Sequence, residues 1–166
     1  MSYIINLLEA LIVSYGLVEL CNINKKNAFF VLNTAITFLV ENFFDYIDQN
    51  FIFLSLACIV IWCGITSIFI KRYFIYNLFM SILMNLICGL CAVIPVLFIY
   101  KYNVIIASFL AKFIQFIMTY LFIKFKKRYS YFEDKYWITI IIILALGEMI
   151  IGFQDEYITA GIYTVN

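Results

Sequence analysis

The stretch "ASFLAKFIQFIMTYLF" carries Ser108, Lys112, Gln115 and Thr119 at spacings of four, three and four residues. On a helix these positions fall within about 60° of one another, so an ammonium, an amide and two hydroxyls share one face of an otherwise apolar rod. Other ionisable side chains stand in similar surroundings: Glu9 in "NLLEALI", Glu41 in "FLVENFF" and Glu148 in "ALGEMII". A lysine facing carboxylates supports three kinds of chemistry. It can form a buried ion pair that fixes helix register, contact a charged ligand, or belong to a pathway for protons or ions. Each depends on how the surrounding elements bring these groups together.

The composition says what those elements are. Of the 166 residues, 66% are hydrophobic, 20% aromatic and only 13% charged, with one proline and no histidine. A soluble domain of this length cannot hide that much apolar surface. Residues 51–70 and 73–100 contain no charged residue, which meets or exceeds the ~20 residues that a helix needs to cross ~30 Å of hydrocarbon. Barrel strands alternate apolar and polar residues, whereas these runs are apolar on every side. Met1 to Leu20 has no basic start and no small-residue cleavage site, so it reads as a span and not as a cleaved signal.

The expected fold is therefore all-α: one polytopic membrane helix bundle over 1–166, with about six transmembrane helices. The spans are read at 3–20, 28–44, 51–70, 74–100, 103–123 and 137–153. The fourth exceeds what a bilayer requires, and tilt, an interfacial "YFIYN" start or a bend at Pro95 is expected to absorb the excess. The tail "YITAGIYTVN" is too short to cross again and reads as the start of an extracellular loop.

Orientation follows from the basic residues. Nine of the eleven follow the first span (Lys25, Lys26), the third (Lys71, Arg72) or the fifth (Lys124, Lys126, Lys127, Arg128, Lys135). The other side has Lys101 and the acidic loop "FDYIDQN". By the positive-inside rule the chain is a multi-pass cell-membrane protein with its N-terminus outside. Lys112, Glu148 and Glu9 then each lie eleven residues from the cytoplasmic boundary of their span, or about 16 Å at the α-helical rise. Glu41 lies slightly higher.

A lysine or carboxylate at mid-membrane costs roughly 2.5 to 3.5 kcal/mol even on insertion-based scales, so Lys112 requires a partner. Side chains lean toward their helix N-terminus, and consecutive spans are usually neighbours. Glu148 is thus the first choice of partner, Glu9 the second and Glu41 the third. Three carboxylates against one lysine leave the layer negative, unless some are protonated or the layer opens to water or to a cationic ligand group on the outer side. Other spans carry polar stripes of their own: Asn6, Glu9, Ala10 and Gly16 on the first; Thr34, Thr37 and Glu41 on the second; Asn77, Ser81, Asn85 and Cys88 on the fourth. Each is expected to face protein, because lipid offers no hydrogen bonds.

Much chemistry is excluded. Without histidine there is no Cys-His or Ser-His catalysis and no usual metal site, and no G-x-x-x-x-G-K-[ST] phosphate cradle occurs. "CGLC" at 88–91 matches C-x-x-C spacing, but on a membrane helix it reads as small residues packing against a neighbour. The basic segment "KFKKRYSYFEDKYW" fixes topology and suits anionic lipid head groups. No enzymatic activity, cofactor, metal or nucleic-acid partner is expected. The candidate ligand or ion-pair residues are Lys112, Glu148, Glu9, Glu41 and Gln115.

The opening "YIINLLEALIVSYGL", the turn "NKKN" and the following "AFFVLNTAITFLVENFFD" resemble the membrane sensor region of agr-type (GHKL) peptide-receptor histidine kinases of low-GC Gram-positive bacteria. The resemblance implies a bundle of six or seven helices that detects a secreted peptide outside and controls a cytoplasmic kinase, usually as a homodimer. It places the chain in quorum sensing through a two-component system. The phospho-acceptor histidine and the ATP-binding boxes are absent, so the expectation is a sensor fragment or a solitary derivative. The competing expectation is a small membrane transport component, such as a substrate-capture subunit. A third is an assembly or regulatory protein acting through helix contacts alone.

Overall fold

The computed structural model describes residues 2–47, 51–70, 74–98 and 104–128. They form five helices: α1 (Ser2–Cys21), α2 (Lys26–Ile47), α3 (Phe51–Phe69), α4 (Phe74–Phe98) and α5 (Val104–Arg128). The expected sixth span at 137–153, with Glu148, lies outside the described residues. Among the described residues, four helices are long and apolar enough to cross a membrane. The apolar part of α3, Phe53–Phe69, is shorter; at 1.5 Å per residue it covers about 25 Å, the lower edge of what a span requires.

Two boundaries differ from the sequence reading by more than two residues. α2 runs three residues past Phe44 and so takes Asp45 into the helix, and α5 continues past Ile123 to Arg128. The physical reason is common to both. A charged residue marks where hydrocarbon ends, but a helix need not stop there, because its backbone bonds remain satisfied in the interface. α4 likewise continues past Pro95 to Phe98.

Each helix packs against its chain neighbours; α5 returns to α1, and α1 also touches α4 across the middle. Contacts at the helix ends give the direction of each element. Asn6, near the start of α1, bonds Asp45, near the end of α2, and Asn77 and Asn85 of α4 bond Ser67 and Ser55 of α3 in antiparallel register. Phe29 of α2 meets Phe69 of α3 edge to face, with ring centroids 5.4 Å apart.

The interior combines an apolar core with buried polar side chains, and the outside is strongly apolar. Val31, Val60, Ile68 and Phe113 are among many large apolar side chains on the outside, while Ser14, Asn33, Thr37, Thr66, Asn77, Ser81, Gln115 and Thr119 are buried. Water disfavours so apolar an exterior, whereas lipid favours it. All four polar stripes read from the sequence turn toward the interior: none of their members is exposed.

α1 ends in a Schellman-type cap. Asn22 takes φ 54°, a left-handed conformation that asparagine tolerates better than other non-glycine residues. The Ile23 amide then donates to the Val18 carbonyl at 3.2 Å, with the Ile23 side chain buried. Another freed carbonyl, that of Leu20, accepts from the Tyr76 hydroxyl at 3.2 Å and also from the Lys126 ammonium. A cation at a helix C-terminus complements the macrodipole, so this contact anchors α1, α4 and α5 to one another at that end. The adjoining turn is closed by Lys26 on Glu19 at 2.7 Å.

Candidate functional site

Side-chain hydrogen bonds tie every neighbouring pair of helices in the ring, and together they build the site. Between α1 and α2, Asn33 and Thr34 both donate to the Ser14 hydroxyl at 2.9 Å. Between α2 and α3, the Trp62 indole donates to Thr37 at 2.9 Å. Between α3 and α4, Asn85 donates to Ser55 at 2.6 Å. Between α4 and α5, the Gln115 amide donates to the Cys88 sulfur at 3.0 Å. The ring closes where Lys112 of α5 donates to the Glu9 carboxylate of α1. In hydrocarbon each such bond adds a fraction of a kcal/mol to about 1.7 kcal/mol, and together they hold the helices in one relative orientation.

Lys112 therefore pairs with Glu9, the second-ranked partner of the sequence reading. The first-ranked partner, Glu148, falls outside the described residues. Both members of the pair are largely shielded, with side-chain exposures of 12% for Lys112 and 22% for Glu9. Gln115, one turn further along α5, is buried and spends its amide on Cys88, so it lies beside the layer and supports its geometry.

Beside the pair is a cavity of about 180 Å³, bordered by all five helices. α1 contributes Asn6 and Glu9, α2 Glu41 and Asp45, and α5 Lys112. α3 supplies Leu54, Ser55, Cys58 and Trp62, and α4 supplies Asn85, Cys88 and Gly89. Three of the five candidate residues thus meet here: Glu9, Glu41 and Lys112. Asn6 donates to Asp45 at 2.8 Å and to Asn42 at 3.2 Å, which spans the gap between α1 and α2 toward the α1 N-terminus. Glu41 is 6% exposed, and its Oε2 has no hydrogen-bond partner among the described residues. Three carboxylates and one ammonium line the space, so the lining carries more acid than base.

Sequence reasoning missed Asp45 and the whole contribution of α3. Asp45 sits one turn beyond Glu41 on the same helical face, which would have joined the two had the span not been ended at Phe44. On α3, Ser55, Cys58, Trp62 and Thr66 recur at spacings of three, four and four, an arc of about 80°. That arc is too weakly polar to stand out in an apolar run, and its one large member reads as ordinary packing. No group of side chains suited to a metal ion occurs among the described residues. Comparison with family models, curated proteins and solved structures returns no match for this chain.

Proposed function

We propose that the chain is a multi-pass cell-membrane protein of six spans with its N-terminus outside, and that it senses a small secreted peptide and passes the signal across the membrane. The observation that carries this reading is the cavity that touches all five helices at once. A ligand shifts a conformational equilibrium only by its differential affinity for the two states. An occupant bordered by every helix of a hydrogen-bonded ring has such a difference available at each helix boundary.

Three further features support it. The cavity includes Asn6 and Asp45, which lie at the α1 N-terminal end of the bundle, the end that the basic loops assign to the outside. Its acid excess suits a basic group on the ligand. The likeness of the first two helices to agr-type sensor regions points to the same class of signal, with a second copy or a separate kinase as the partner inside the cell.

Binding to the chain reconstituted in nanodiscs tests the reading. Against a library of short linear and cyclic peptides, saturable binding is expected for some members, and it is expected to be lost when Ser55→Trp fills the cavity. No saturable binding, or binding indifferent to the filled cavity, contradicts it.

A further inference from the structure

We infer that the cavity receives a side-chain-sized alkylammonium group, with Glu41 as its counter-ion. The inference rests on the reading of the cavity as a ligand site, and it specifies what part of a ligand enters.

Four observations lead to it. First, the carboxylates around the cavity are not equally satisfied. Glu9 holds Lys112, and Asp45 holds the Asn6 amide, but Glu41 presents Oε2 with no partner among the described residues. A buried acceptor left open costs about 1–3 kcal/mol, so an occupant that donates to it is favoured. Second, the size is limited. A cavity of about 180 Å³ compares with the ~150 Å³ that accommodates a benzene ring in an engineered apolar site. One amino-acid side chain or a short alkylamine fits, and a whole peptide does not. Third, the wall is mixed. Leu54, Cys58 and Trp62 give apolar surface for methylenes next to the carboxylates, whereas an inorganic cation needs converging oxygen ligands on all sides. Fourth, the cation already present is committed, because Lys112 is drawn to Glu9.

The occupant is therefore amphipathic, with an ammonium at one end and a short apolar stem, as in a lysine or ornithine side chain or the amine end of a peptide. Arginine and lysine differ here. Three rotatable donors on a compact ammonium suit a single open carboxylate oxygen, whereas a guanidinium seeks a bidentate carboxylate.

The probe is n-butylammonium chloride, titrated into the detergent-solubilised full chain carrying Trp137→Phe, so that Trp62 is the single tryptophan and is excited selectively over tyrosine. Saturable change in Trp62 emission is expected, with n-butanol and sodium butyrate at least about tenfold weaker, and with that preference abolished in Glu41→Gln. Partition of the probe into detergent perturbs wild type and Glu41→Gln alike, so the difference between them is the readout. The comparison of three probes on the parent chain needs no variant and stands even if Glu41→Gln fails to fold. Equal binding of butanol and butylammonium overturns the inference and leaves a ligand cavity indifferent to charge. Displacement by sodium or potassium chloride at matched ionic strength overturns it in favour of an inorganic cation. Absence of binding by all three probes overturns both the inference and the reading of the cavity as a ligand site.

Discussion

Lys112→Met is expected to destabilise the bundle by about 3 to 5 kcal/mol, the cost of leaving a buried ionic partner uncompensated. Methionine matches the lysine stem in length and suits lipid and protein surroundings, so the loss isolates the ammonium. What it leaves behind is Glu9, largely shielded and facing the same cavity as Glu41 and Asp45. Combining Lys112→Met with Glu9→Gln is expected to recover most of the loss, because a neutral pair replaces an orphaned charge. Combining it with Glu148→Gln is expected to recover little. Denaturant or steric-trapping measurements of unfolding in bicelles give the two coupling energies directly. A larger rescue from Glu148 than from Glu9 would reassign the pair to the helix read at 137–153.

Gly16→Leu is expected to cost about 3 kcal/mol, the upper part of the range for overpacking. A Cβ at Gly16 falls 2.7 Å from the Met84 Cε and Sδ atoms and 2.9 Å from the Thr119 Cγ2 methyl. The end of Met84 can swing aside, but the β-branched Thr119 has little rotamer freedom on a helix. The absent side chain is what lets α1 lie against α4 and α5 at once, as small residues do at membrane helix contacts. Gly16→Ala is expected to cost about 1 kcal/mol, and Met84→Ala should relieve part of the loss in Gly16→Leu. Gly64 is the internal control: a Cβ there meets nothing within 4 Å, so Gly64→Ala is expected to be neutral or mildly stabilising. Thermal unfolding of the four variants in one detergent separates close packing from simple helix propensity.

The inward stripes were legible because their residues are polar enough to be unwelcome in lipid. Asn77, Ser81, Gln115 and Thr119 declare a face by the cost of exposing them to acyl chains, and all four are buried. The meeting of Glu9, Glu41 and Lys112 at one level was legible by counting rises from the basic loops. Which carboxylate Lys112 takes could only be ranked, and Glu148, placed first for its adjacency in sequence, lies outside the described residues. Here α5 returns to α1, so the contact of Lys112 with Glu9 spans 103 residues of sequence. The α3 wall was hidden for a different reason. Lipid-facing and interior surfaces of that helix have nearly the same polarity, and the hydrogen bonds from Trp62 to Thr37, from Asn85 to Ser55 and from Asn77 to Ser67 separate them.

The proposed ligand cavity is expected to open to the side of the membrane on which α1 begins and to attract positive charge. Ser55 lines it and is half-buried, so Ser55→Cys in a background lacking the five native cysteines gives a single reporter thiol. Membrane-impermeant methanethiosulfonate reagents bearing a trimethylammonium or a sulfonate group are then applied to either face of oriented vesicles. Modification is expected only from the face bearing the N-terminus, about tenfold faster for the cationic reagent. Modification from the face of the Asn22–Lys25 turn, from both faces, or with a preference for the sulfonate reagent would contradict it.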